Sequence, residues 1–274
     1  VTAHVPTEPG GQPGPAIDIT VPCSPRIWNY WLGGKDNYEV DRAVGDQFFE
    51  IYPAIVPIAK HSRGFLSRAV TYLAGEAGVR QFLDIGTGLP THDNTHQIAQ
   101  RTAPDAHIVY VDNDPVVLAH ARALLTSSPE GATHYIDADL HDPELILERA
   151  AKLLDFERPV ALCMLNILGH IEDTAEATDI VRRLMAGLPS GSYLVTADGT
   201  NVVTGEAFER AIAVWNQVGR PTYHLRNPEQ IKGFFEGLEL LEPGVVSCSR
   251  WRPAENPFGE PAEVDEFCAV GRKP

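Results

Sequence analysis

Cysteine is scarce in this chain, and its four copies stand apart: Cys23, Cys163, Cys248 and Cys268 form no CxxC pair. That spacing excludes a zinc ribbon and offers no disulfide framework. Cys163 and Cys268 fall in apolar, strand-like runs, which points to buried thiols in a reducing cytoplasm. Positive charge is also short. Against 37 acidic residues there are 22 lysines and arginines, scattered along the chain, and the formal net charge is −15. A polyanion needs a basic track, so nucleic acid is disfavoured as a partner and a small or cationic ligand suits the surface better. No apolar run approaches the roughly 20 residues of a membrane helix. A basic segment followed by an apolar one, the mark of a secretion signal, is missing as well.

With 274 residues, the chain lies near the upper limit for a single core, so one α/β domain with an appendage is expected. Residues 1–24, rich in Pro and Gly and without amphipathic period, read as a disordered leader. Residues 25–75 read as helical, and residues 76–274 as the main domain. From Gln81 onward short apolar runs alternate with helices: "QFLDIG", "AHIVYVD", "THYIDAD", "PVALCMLN", "GSYLVTAD", then "LELLEPGVVS" and "EFCAVGRK". Such alternation calls for a mostly parallel sheet, doubly wound, with helices on both faces. The helix starts are marked. Asp114-Pro115 and Asp142-Pro143 each set a capping carboxylate before a first-turn proline, and Asn227-Pro228-Glu229-Gln230 spells a capping box.

The polar residues that close the first four strands are Asp84, Asp112, Asp139 and Asn166, spaced by one βα unit each, and Asp198 closes a fifth. Ligands of open α/β sheets bind outside the carboxyl ends of the strands, at the point where strand order reverses. These five side chains are therefore expected along one edge. Gly86 and Gly88 supply a tight turn after the first strand, but Thr91 replaces the third glycine of GxGxxG. Asp84, two residues before Gly86, sharpens the reading: a carboxylate there repels a pyrophosphate and attracts an ammonium and a sulfonium. Asp112 is placed to accept the hydroxyls of a ribose, Asn113 to flank an adenine, and Asp139 to accept an adenine amino hydrogen. Asn166 ends the most apolar strand, where its amide should meet a ligand. His170 follows as a candidate general base, with a purely structural histidine as the competing explanation. His92 and His96 have the i, i+4 spacing of a zinc helix, yet no third ligand follows, and no metal is expected.

With Asp84-x-Gly86-x-Gly88, Asp112 and Asp139 at successive strand ends, the core resembles the class I, Rossmann-like S-adenosylmethionine-dependent methyltransferases. Segments such as "PRIWNYWLGGKDNYEVDRAVGDQ", "FLDIGTGLPTHDNTHQIAQ", "IVYVDNDPVVLAHARALL" and "PGVVSCSRWRP" are similar to an actinobacterial group of that class formerly catalogued as a domain of unknown function. The resemblance implies a seven-stranded doubly wound sheet with a helical N-terminal lid. It assigns Asp84, Gly86 and Gly88 to the methionine moiety, Asp112 to the ribose, and Asn113, Asp139 and Leu140 to the adenine. Residues Tyr30, Gly33, Gly34, Lys35 and Asn37 would close over the amino-acid end, with Lys35 or Arg63 pairing its carboxylate. Where the group often has a Leu-His-Phe type segment, this chain has Ile167-Leu168-Gly169-His170-Ile171, a departure at the proposed base. The implied function is methyl transfer from S-adenosyl-L-methionine to a small-molecule acceptor in the cytoplasm. A non-catalytic S-adenosylmethionine sensor is the alternative, and a nicotinamide dehydrogenase is disfavoured by Asp84.

Overall fold

Seven strands of the computed structural model align in one sheet, and the model describes residues 2–3, 17–90, 93–124, 127–257 and 259–274. They are β1 (Gln81–Ile85), β2 (His107–Asp112), β3 (Ala132–Asp137), β4 (Ala161–Leu165), β5 (Tyr193–Gly199), β6 (Glu239–Leu240) and β7 (Glu266–Arg272), in spatial order 3-2-1-4-5-7-6. The first five are parallel, and β7 returns antiparallel against β5, with Glu266 opposite Gly199 and Arg272 opposite Tyr193. Strand order reverses between β1 and β4, so the crevice for a ligand is expected there. The strand foreseen in "LELLEPGVVS" is split. β6 and a two-residue strand, Val246–Ser247, pair separately with β7, because Pro243 has no N–H to give a ladder and Gly244 turns the chain at φ 84°.

Alternation along the strands sends apolar side chains to both faces. Leu83, Val109, Val111 and Leu162 meet α6 (Pro143–Ala150) and α7 (Thr174–Ala186) through Ile146, Ile180, Val181 and Leu184. Phe82, Ile108, Cys163 and Val195 meet α3 (Ile55–Gly75) and α4 (Thr95–Thr102) on the other face. The expected caps are formed: Asp142 accepts from Leu145 N at 3.1 Å, Asp114 from Val116 N at 2.7 Å, and Asn227 and Gln230 bond reciprocally at 2.9 Å.

The helical segment foreseen as one lid divides in two. In α3, Phe65, Leu66, Ala69, Val70 and Leu73 recur at helical spacing and are buried on the sheet, so this part is core. Helices α1 (Ser24–Trp31) and α2 (Glu39–Ile51) instead pack with α8 (Glu206–Val218) in a separate cluster built on Ile27, Phe48, Phe208 and Trp215. Much of the leader lies outside the described residues. Its end does not hang free: the backbone carbonyls of Asp18 and Val21 accept from the Arg26 guanidinium, which is buried in an ion pair with Asp41 at 2.8 Å. Asp265, the residue just before β7, ties this cap down: it accepts from Tyr52 Oη at 2.9 Å and from the amides of Val203 and Thr204. Among the described residues no helix is long and apolar enough to cross a membrane.

Candidate functional site

A cleft of about 210 Å³ opens at the β1/β4 crevice. Asp84, Gly86 and Gly88 border it from β1, Asp112 and Asn113 from β2, Asn166 and Ile167 from β4, and Arg63 from α3. Asp84 is 8% exposed. Its Oδ2 accepts from Thr95 Oγ1 at 2.5 Å, while Oδ1 takes no hydrogen bond from any described residue. Burial raises its pKa to about 6 against the opposing pull of Thr95 and Arg63. Arg63, whose Nη2 donates to the Asp93 carbonyl at 2.6 Å, is a cation on this wall, and Arg220 borders the cleft as well.

The two glycines serve different needs. Gly86 takes φ 73°, and a Cβ there would stand 2.6 Å from the Ile167 side chain, so it is needed for packing. Gly88 takes φ 62° and faces open space, and its N–H donates to Asp112 Oδ2 at 3.1 Å. Asp112 thereby fastens the turn after β1 to the end of β2; its Oδ1 accepts from Asp114 N at 2.9 Å, and burial raises its pKa to about 6.

Several expected residues lie away from the cleft. Because β3 ends at Asp137, Asp139 has already turned outward, where its carboxylate is engaged by Asn113 Nδ2 at 2.9 Å and His141 Nδ1 at 2.6 Å. Leu140 belongs to the core. Tyr30 points to α2, donating to Asp46 at 2.6 Å; Gly34 and Asn37 pack on and bond to Asn29; Gly33 and Lys35 are exposed. The cleft is covered instead by Ser24, Pro25, Trp28 and Leu32, one face of α1. That i, i+1, i+4, i+8 spacing was visible in the sequence, but only a known helix start selects it.

Asn166, at φ 56°, turns its amide inward rather than toward a ligand. Nδ2 donates to Ser62 Oγ at 3.0 Å and Glu266 Oε1 at 3.1 Å, and Oδ1 lies 3.3 Å from Tyr223 Oη. Tyr223 donates to Asp198 Oδ1 at 2.7 Å, and Asp198 also accepts from Gly169 N at 3.1 Å. Thus Asp198 sits below the cleft as a bracket for the loop after β4. Glu266, Tyr223 and Ser62 escaped the sequence reading because they meet only through the tertiary fold. Burial raises Asp198 to about 6 and Glu266 to about 7.

His170 lies where the cleft meets a smaller chamber of about 50 Å³ under α1, α2 and α8, and it lines both. Its Nδ1 is 2.8 Å from the Thr222 carbonyl, which can only accept, so Nδ1 carries the hydrogen and Nε2 the lone pair. Burial lowers the pKa of the ring, which favours its neutral form. The zinc reading finds no helix to stand on: α4 begins at Thr95, after Asp93 at φ 60°, and His96 Nδ1 lies 2.9 Å from Tyr110 Oη. His92 lies outside the described residues. No cluster of potential metal ligands occurs among the described residues.

The model of a family described as S-adenosyl methyltransferase matches residues 10–274. A solved DUF574 family protein from Streptomyces avermitilis is similar at 42% identity and TM-score 0.89, with 94% of this chain and 99% of that one covered. A candidate methyltransferase from Thermobifida fusca is similar at 38% identity and TM-score 0.85, with 93% and 96% covered. No curated protein matches.

Proposed function

The chain belongs to the S-adenosyl methyltransferase family, and from that premise we propose that it methylates a small-molecule acceptor in the cytoplasm, using the β1/β4 cleft for S-adenosylmethionine. Asp84 carries the reading. A nearly buried carboxylate with one oxygen unbonded, beside an open glycine turn, suits a cationic ligand and would repel a pyrophosphate. Arg63 supports a carboxylate at the same end, and the remaining lone pairs of Asp112 suit the two hydroxyls of a ribose. Asn113 borders the far end, where an adenine would lie. The donor, when bound, supplies an electrophilic methyl group on sulfur.

The chain's own contribution is position and dryness. Trp28 and Leu32 cover the cleft, and Trp28 also walls the adjoining chamber, so acceptor and donor can be held side by side with water excluded. A sensor would have no use for that second chamber. Four free thiols and an acidic surface support a cytoplasmic small-molecule enzyme over a nucleic-acid modifier. Calorimetric titration with S-adenosylmethionine and NADH, repeated on Asp112→Ala, tests the donor assignment. Wild type should bind only the former, and the variant should bind it roughly tenfold or more weakly. NADH binding, or an indifferent Asp112→Ala, would remove the cleft from consideration.

A further inference from the structure

The chamber beside the cleft has a narrow chemical character. Its walls are Trp31, Phe48, Ile55, Phe208, Ile212 and Trp215, and no acid or lysine or arginine lines it among the described residues. The polar groups at its mouth are mostly spent. Trp31 Nε1 donates to the Gly45 carbonyl and Trp215 Nε1 to the Pro221 carbonyl, while Asn166 and Tyr223 are held by the buried network beneath. His170 Nε2 differs: it has a lone pair, takes no hydrogen bond from a described residue, and belongs to a side chain that lines both chamber and cleft.

Resting on the donor reading above, we propose that this chamber is the acceptor site. Its ligand is an uncharged, planar apolar molecule bearing an acidic hydroxyl, a phenol in the simplest case, and His170 Nε2 receives the hydroxyl proton. Aromatic walls favour a flat ring. The lack of a facing carboxylate disfavours an ammonium-bearing acceptor, and a lone pair as the available polar atom selects a donor O–H. In the transfer, the acceptor oxygen forms the new bond to the methyl carbon. The carbon–sulfur bond breaks with its electron pair left on sulfur, and the hydroxyl proton passes to Nε2 and then to water. The groups packed around the imidazole are the Tyr223 ring at 5.2 Å, the Thr222 carbonyl, and His224, whose charge would further disfavour imidazolium. Asp198 stands behind Tyr223 and Gly169.

The probe is 4-nitrophenol, which quenches tryptophan fluorescence and changes colour on ionisation, added to the full chain in the presence of S-adenosylhomocysteine. Trp28, Trp31 and Trp215 line the chamber, so quenching should saturate. Ile212→Phe, which fills the chamber from the half-buried face of α8, should weaken the probe roughly tenfold or more and leave S-adenosylmethionine affinity unchanged. Ile55→Phe fills it from α3 and stands in if the first variant fails to fold. His170→Gln should keep probe affinity within a few-fold but move the ionisation of the bound probe to higher pH, since the amide cannot take the proton. Unsaturable quenching, or undiminished affinity in a folded filled variant, overturns the acceptor site; an unmoved ionisation in His170→Gln overturns the base. Calorimetry with S-adenosylmethionine separates the two levels. No donor binding overturns the underlying reading, whereas donor binding without saturable quenching overturns the acceptor inference alone.

Discussion

Asp84→Asn should push stability and ligand binding in opposite directions. The carboxylate is held by Thr95 on one oxygen and is otherwise desolvated, which lifts its pKa from 3.8 to about 6. Each unit corresponds to about 1.4 kcal/mol, so keeping the charge at pH 8 costs the free protein about 3 kcal/mol. The folded value lies above the unfolded one. The folded chain therefore holds the proton more tightly, and stability present at low pH is lost as pH climbs through about 6. Asparagine preserves the acceptor for Thr95 and abolishes the charge. In thermal unfolding without ligand, the variant should melt about 6 °C above wild type at pH 8 and close to it at pH 4. S-adenosylmethionine should bind the variant about 30-fold more weakly, or worse, because an amide replaces the partner of its cationic end. A variant that melts below wild type at pH 8, or binds the ligand with unchanged affinity, would refute the role given to this carboxylate.

Gly86→Ala should cost about 1–3 kcal/mol in urea unfolding, since the new Cβ meets Ile167 at 2.6 Å from a backbone at φ 73°. Ile167→Ala in the same chain should return part of that loss through a coupling of about 0.5 kcal/mol or more, and strictly additive effects would refute the contact. Burial also raises Asp112 and Asp198 to about 6 and Glu266 to about 7. All three folded values exceed the unfolded ones, so these acids draw the urea midpoint of the free protein down between about pH 4 and pH 7, against His61, His96 and His170, whose burial-lowered values push it up. Glu266→Gln should therefore lose less of its midpoint than wild type over that range, and an unchanged slope would contradict this.

Local features of the fold were legible where one segment carries its own signal. The parallel strands announced themselves by apolar runs at regular intervals, and the caps at Asp114, Asp142 and Asn227 by their neighbouring prolines. That Asp84 and Asp112 border the cleft was readable because a strand end nearly fixes position along the edge of the sheet. The same rule failed for Asp139, where β3 stops two residues early and the carboxylate finds Asn113 and His141 instead. Asn166 was placed correctly in the chain but not in its bonding, because its partners Ser62 and Glu266 lie 104 and 100 residues away. The cover over the cleft was sought in the polar "GGKDNY" turn, while Trp28 and Leu32 of the helix before it provide the surface. Polar sequence drew attention to a turn that mostly bonds to itself.

The latch just before β7 also has a temporal meaning. Tyr52 and Asp265, which tie the helical cap to the sheet, are 213 residues apart in sequence, and Glu266 beside Asp265 holds the floor of the cleft through Asn166. On the ribosome Phe48 finds Phe208 only once α8 has emerged, and the cap's tie to the sheet waits further, for Asp265 and β7. Until then Trp28, Phe48 and their neighbours are a greasy nascent surface for chaperones, and the cleft lacks the floor that Glu266 fastens.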